Sequence, residues 1–172
     1  MQELIPDGYT QLPMLGFGTL PLAGVYGPIR ESDAVAIINK AIELGVKFVD
    51  TADAYGDGLA ELIIGRAIAG RHDEVTVATK VGLVAGGRGG VQNDRSYLRR
   101  AVGASLSRLG VERIDLLFLH RVDPKVPIEE TIGFLAELVR EGSVAGIGLS
   151  CRLPAGWDHR VATSMGPLVS VI

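Results

Sequence analysis

An α/β fold of the TIM-type (β/α)8 barrel kind, incomplete and with about six βα units present, is what this sequence predicts. Three observations carry the prediction. Short apolar runs rich in branched residues alternate with segments of helical period, the pattern of parallel strands covered by helices. Polar residues able to do chemistry stand where those runs end, at Asp50, Lys80, His120 and Ser150. A barrel recruits its site from the carboxyl ends of several strands in this way. The alternative, an open doubly wound sheet, would open with a glycine-rich phosphate loop. Here Gly16-Phe17-Gly18-Thr19 runs into Leu20-Pro21-Leu22 and lacks both the third glycine and a prompt helix.

The elements follow in order. Residues 15–19 form the weakest strand candidate, and 46–50, 75–79, 114–119, 144–149 and 168–172 read as buried parallel strands. Ser32 is placed to cap a helix that turns Val35, Ile38 and Ile42 inward and stops at Gly45. Around the second helix, Glu61, Arg66, Arg71, Asp73 and Glu74 read as a solvated mixed-charge face. Residues 82–90 form a glycine-rich loop with Arg88, expected to be mobile and carrying no phosphate-cradle motif. Asp94 caps the next helix, which buries Leu98, Val102, Leu106 and Leu109 and ends at Gly110. Pro127 suits a first helical turn, with Glu129 and Glu130 near the positive end of the dipole, Ile132, Leu135 and Val139 facing inward, and Gly142 as the stop. In 151–167, Pro154, Gly156 and Gly166 interrupt the helical pattern, while Trp157, Val161 and Met165 keep a stripe suited to core packing.

Composition sets the class. The 172 residues, 47% hydrophobic with 23 glycines, read as one domain over 1–172 with a sizeable core. A net charge of -3 argues against nucleic acid as a partner, and the apolar runs are too short for a membrane span. Cys151 is the single cysteine, so no internal disulfide forms, and the start Met1-Gln2-Glu3-Leu4-Ile5-Pro6 lacks the basic and apolar regions of a secretion signal. The expected location is the cytoplasm.

Five segments in order resemble one family: Leu15-Gly16-Phe17-Gly18-Thr19, Phe48-Val49-Asp50-Thr51-Ala52-Asp53-Ala54-Tyr55-Gly56, Ala78-Thr79-Lys80-Val81-Gly82, Asp115-Leu116-Leu117-Phe118-Leu119-His120 and Gly146-Ile147-Gly148-Leu149-Ser150. On these the chain is similar to the aldo-keto reductases, NAD(P)H-dependent enzymes on a (β/α)8 barrel. His120-Arg121-Val122-Asp123-Pro124 followed by Val126-Pro127-Ile128-Glu129-Glu130-Thr131 looks most like the bacterial and plant branch of broad specificity. The resemblance implies a catalytic tetrad of Asp50, Tyr55, Lys80 and His120, and NADPH as hydride source, the choice of NADPH over NADH resting on the family alone. It implies that Ser150 helps hold the nicotinamide carboxamide, although Cys151 follows where another polar residue is usual. Thr19 and Asp50 are the other candidate cofactor contacts. The implied partner is a small aldehyde or ketone.

The side chains suit that reaction. Hydride attack on a carbonyl carbon leaves an alkoxide that needs a proton, and a phenol, with an ordinary pKa of about 10, is a reluctant donor at neutral pH. A cationic Lys80 would stabilise the phenolate of Tyr55, Asp50 would hold the ammonium, and His120 would orient the substrate carbonyl by a hydrogen bond. Taken singly, each has a plainer role: Asp50 as a turn or helix cap, Tyr55 as a surface aromatic, Lys80 as a snorkelling cation, His120 as a core histidine and Ser150 as a cap for the next turn. Arg121 is equally suited to an anionic group or to solvent.

A barrel of this kind usually takes about 250 residues, and the sequence reaches Ile172 at its sixth strand-like run. Strands seven and eight, which the resemblance implies bind the cofactor's pyrophosphate and adenosine ribose phosphate, are expected to be missing. Exposed strand edges would then favour self-association. A non-catalytic or partner-completed module and an inactive fragment are the alternatives to a working reductase.

Overall fold

The computed structural model describes residues 13, 15–84, 90–150 and 168–171. Strands β1 (Phe17–Gly18), β2 (Phe48–Asp50), β3 (Thr76–Val81), β4 (Ile114–Leu119), β5 (Val144–Leu149) and β6 (Leu168–Val171) form one sheet in sequence order, each neighbouring pair parallel. A doubly wound sheet would reverse that order part-way. Unbroken sequential pairing is the barrel pattern, and every predicted strand segment is present within a few residues at its ends.

Helices α1 (Glu31–Glu43), α2 (Leu59–Ala67), α3 (Arg95–Leu109) and α4 (Ile128–Arg140) make the crossovers. Each exists because one stripe is apolar. α4 buries Ile128, Ile132, Phe134, Leu135 and Leu138, and full burial of such a side chain stabilises by roughly 1.5–3 kcal/mol. Asp94 caps α3 as expected, its carboxylate accepting from the Tyr97 N–H at 3.0 Å. Two expected starts differ. α1 begins before Ser32, with Arg30 in the capping position and held to Asp33 by an ion pair at 2.8 Å, so acidic residues in the first turn replace a hydroxyl cap. Pro127 is the residue before α4 rather than within its first turn. The glycine-rich loop is described only at its base, where Leu83 and Val91 form an antiparallel bridge. The stripe of Trp157, Val161 and Met165, and Cys151, lie outside the described residues.

The two faces of the sheet hold different cores. The larger, between sheet and helices, includes Ile38, Ile63, Ile64, Leu98, Leu117, Leu119 and Leu135; the smaller is Ala78, Leu116 and Phe118 with Phe48 against them. Side chains alternate faces along a strand, so Phe48 shares its side with Asp50, Ala78 with Lys80, and Leu116 and Phe118 with His120. In each case the apolar residue is the lower step of a column and the polar residue the upper. Register staggers the columns by one step from strand to strand, with Asp50 opposite Ala78 and Lys80 opposite Phe118. Among the described residues, no helix is long and apolar enough to cross a membrane.

Candidate active site

Lys80 is the hub of the site. Its Nζ donates to Asp50 Oδ1 and Oδ2 at 2.8 and 2.6 Å, to the Thr51 carbonyl at 2.9 Å and to the Tyr55 hydroxyl at 3.1 Å. An ammonium has three protons, so one serves the Asp50 carboxylate, one Thr51 and one the phenol oxygen. Because Tyr55 accepts there, its own proton is left to point elsewhere. Only 8% of the Lys80 side chain meets solvent, against 33% for Asp50, so this cation acts where screening by water is weak. Nζ also lies 4.8 Å from the Tyr55 ring centroid.

His120 closes the cluster, its ring edge-on to Tyr55 with centroids 5.9 Å apart and planes at 79°. Its backbone N–H donates to the Val81 carbonyl at 2.8 Å, extending the β3–β4 pairing one residue past the strand. Burial lowers the imidazole pKa to about 4, helped by the charges of Lys80 and Arg121. The ring is therefore neutral at neutral pH and carries one N–H. Its Nδ1 is buried without a partner among the described residues.

The other predicted contacts divide. Ser150 follows β5, half-buried, with its N–H on the Leu119 carbonyl at 3.0 Å and its hydroxyl engaging no described residue. Thr19 is fully buried and its hydroxyl donates to the Asp50 carbonyl at 3.0 Å, so it braces β1 against β2 and keeps only acceptor capacity. Arg121 is exposed, and Asn93 Nδ2 donates to its carbonyl at 3.0 Å.

Two acids near the site escaped the sequence reading. Glu61, expected on a solvated face, is 0% exposed. It accepts from Thr79 Oγ1 at 2.5 Å and Arg108 Nε at 2.6 Å. A buried carboxylate needs such partners, and both come from other elements, so the helix alone gave no sign of them. Asp53 is 7% exposed and its Oδ1 has no partner among the described residues. Burial raises its pKa to about 7, with the Glu61 charge adding to the rise and Arg108 and the Ala54 N–H opposing it. The one sequence signal for Asp53 was its place two residues before Tyr55.

The profile of the aldo/keto reductase family matches residues 14–165. A soybean (Glycine max) protein described as probable aldo-keto reductase 1 is 42% identical over 165 residues, covering 94% of this chain and 47% of the relative. The holo form of an aldo-keto reductase from Bacillus halodurans is 38% identical with a TM-score of 0.71, over 79% of this chain and 45% of that one. An aldo-keto reductase from Klebsiella pneumoniae in complex with NADPH is 31% identical with a TM-score of 0.71, over 84% and 47%. The chain thus spans about half the length of these relatives.

Proposed function

The chain belongs to the aldo/keto reductase family, and on that premise we propose that it reduces small aldehydes or ketones to alcohols with NADPH, through Asp50, Tyr55, Lys80 and His120. One observation carries the reading: Lys80 Nζ donates to the Tyr55 hydroxyl at 3.1 Å while Asp50 grips the same ammonium. That arrangement turns the phenol proton outward and sets a cation beside the oxygen that becomes negative as the proton leaves.

The residues present fit a nicotinamide and a carbonyl. Among the described residues, Ser150 offers a hydroxyl with no partner and His120 a buried nitrogen with none. When bound, the cofactor supplies hydride to the carbonyl carbon. This chain supplies the rest. Neutral His120 donates its single N–H to the carbonyl oxygen and orients it. Tyr55 transfers its proton to that oxygen, and the phenolate left behind is stabilised by Lys80, which Asp50 and the Thr51 carbonyl hold in place. Asp50 and Ser150 are proposed to face the nicotinamide, with Thr19 fixing Asp50 from below. We assign the chain to the cytoplasm as a single domain, a compartment that suits NADPH chemistry and a lone cysteine.

Nucleotide-fluorescence titration with NADPH, followed by turnover across an aldehyde panel for wild type and Tyr55→Phe, tests this. Saturable binding with turnover lost in the variant is expected; folded protein that binds NADPH and reduces no aldehyde would defeat it. A second reading, a partner-completed module, draws on β1 and β6 each pairing on one side only among the described residues. Light scattering after size exclusion decides that point, since a strictly monomeric stable particle contradicts it.

A further inference from the structure

Tyr55 leads directly into strained backbone. Gly56, Asp57 and Gly58 have φ of 61°, 54° and 90°, three successive residues in the left-handed region. Asp57 is the one non-glycine with positive φ among the described residues. A residue with a Cβ pays on the order of 1–3 kcal/mol for such backbone, which persists only when its surroundings hold it.

Arg108 of α3 is what lies beneath the turn. An ideal Cβ on Gly58 would stand 2.6 Å from both Cδ and Nε of Arg108 and 3.0 Å from its Cζ. Only a glycine lets the arginine stem pass this close. The guanidinium is itself fixed, its Nε donating to Glu61 Oε2 at 2.6 Å and its Nη2 to Ser105 Oγ at 3.2 Å. Glu61 carries the connection on through its other oxygen, which accepts from Thr79 Oγ1 at 2.5 Å. Thr79 is the residue before Lys80, and β3 turns the two side chains to opposite faces. One guanidinium therefore ties the turn that follows Tyr55 to the strand that carries Lys80. Asp53, on the other side of Tyr55, feels the same pair of charges.

We propose that Arg108 is a positioning residue: through Glu61 and the left-handed turn at 56–58, it sets the Tyr55 phenol against Lys80 and governs proton transfer without touching substrate or cofactor. The kinetic side of this rests on the function proposed above; the geometric side does not. Both are tested on the purified chain with Arg108→Lys, which keeps a charge for Glu61 but lacks the planar fork, and Arg108→Met, which removes both. The direct readout is the ring-proton NOE between Tyr55 and His120, assigned with Tyr55→Phe and compared with NOEs among Leu98, Ile132 and Leu135 in the core. The Tyr55–His120 peak is expected to weaken in Arg108→Lys and vanish in Arg108→Met while the core peaks stay. In turnover, kcat is expected to fall about 10- to 100-fold, the scale of a displacement near 1 Å, with KM for the aldehyde unchanged. An Arg108→Lys protein that keeps the full Tyr55–His120 peak and wild-type kcat, whatever its melting temperature, overturns the proposal. Should Arg108→Met not fold, Arg108→Lys alone decides. A wild type inactive toward every aldehyde would defeat the proposed function and leave the NOE result to judge Arg108.

Discussion

Replacing Lys80 by Met removes the one atom that Asp50, Thr51 and Tyr55 share. The carboxylate loses contacts of 2.8 and 2.6 Å, the Thr51 carbonyl one of 2.9 Å and the phenol its donor at 3.1 Å. Cutting one partner from a fully buried pair costs about 3–5 kcal/mol. A third of the Asp50 side chain reaches water and rehydrates, so the expected loss is nearer 2–3 kcal/mol, roughly 4–12 °C in Tm for a chain of this length. The kinetic loss should be larger in proportion, about 10²- to 10⁴-fold in kcat, the worth of a positioned proton donor. Tyr55→Phe should match that loss while costing only about 1 kcal/mol of stability, one hydrogen bond. Since the two groups act as a unit, Lys80→Met/Tyr55→Phe should be no slower than the worse single variant. The assays are thermal melts and NADPH consumption with an activated aldehyde. A Lys80→Met protein within a few-fold of wild-type kcat, or a double variant in which the two losses multiply, would refute the reasoning.

The pH dependence of stability is set by two opposed groups. His120, held down near 4, is neutral in the fold, so its contribution is full above about 6.5 and is lost as pH falls toward 4. Asp53, raised to about 7, holds its proton in the fold, so it costs stability as pH rises from about 4 to 7. Wild-type melts should therefore be nearly flat across that window, with Asp53→Asn giving stability that rises with pH and His120→Asn stability that falls; slopes unchanged by either substitution would contradict the assignment. Gly65→Ala would put a Cβ 2.4 Å from the Arg108 carbonyl oxygen and 2.9 Å from Leu109 backbone atoms, forcing α2 from α3 at about 1–3 kcal/mol, read as a lowered Tm. Asp94→Ala should cost about 1 kcal/mol through loss of the α3 cap, seen in denaturant melts with unchanged m.

Those positions also mark how far the sequence could be read. Strands such as 114–119 and 144–149 were legible because a strand buried on both faces must be apolar along its length. Asp50, Lys80 and His120 stood out by their order and local sequences at the ends of successive apolar runs, since each taken singly has a plainer role. What stayed hidden depends on pairs from distant elements. Glu61 looked like any acid on a charged helix, and nothing local announces that Arg108, 47 residues away, neutralises it inside the core. Thr19 read as a candidate cofactor contact, and no local pattern showed that its hydroxyl also braces the Asp50 carbonyl one strand away. Ser32 had the right chemistry for a cap, but Arg30 and Asp33 pair across the helix start instead.

In the proposed reaction hydride reaches the carbonyl carbon from NADPH and the proton reaches its oxygen from Tyr55. Incubating the purified protein with nicotinamide-deuterated NADPH and a small aldehyde, then reading the alcohol by mass spectrometry, tests it most directly. Deuterium on the carbinol carbon with wild type, formed about 10²- to 10⁴-fold more slowly with Tyr55→Phe, is the predicted result; folded wild-type protein that yields no deuterated alcohol at saturating NADPH would contradict it.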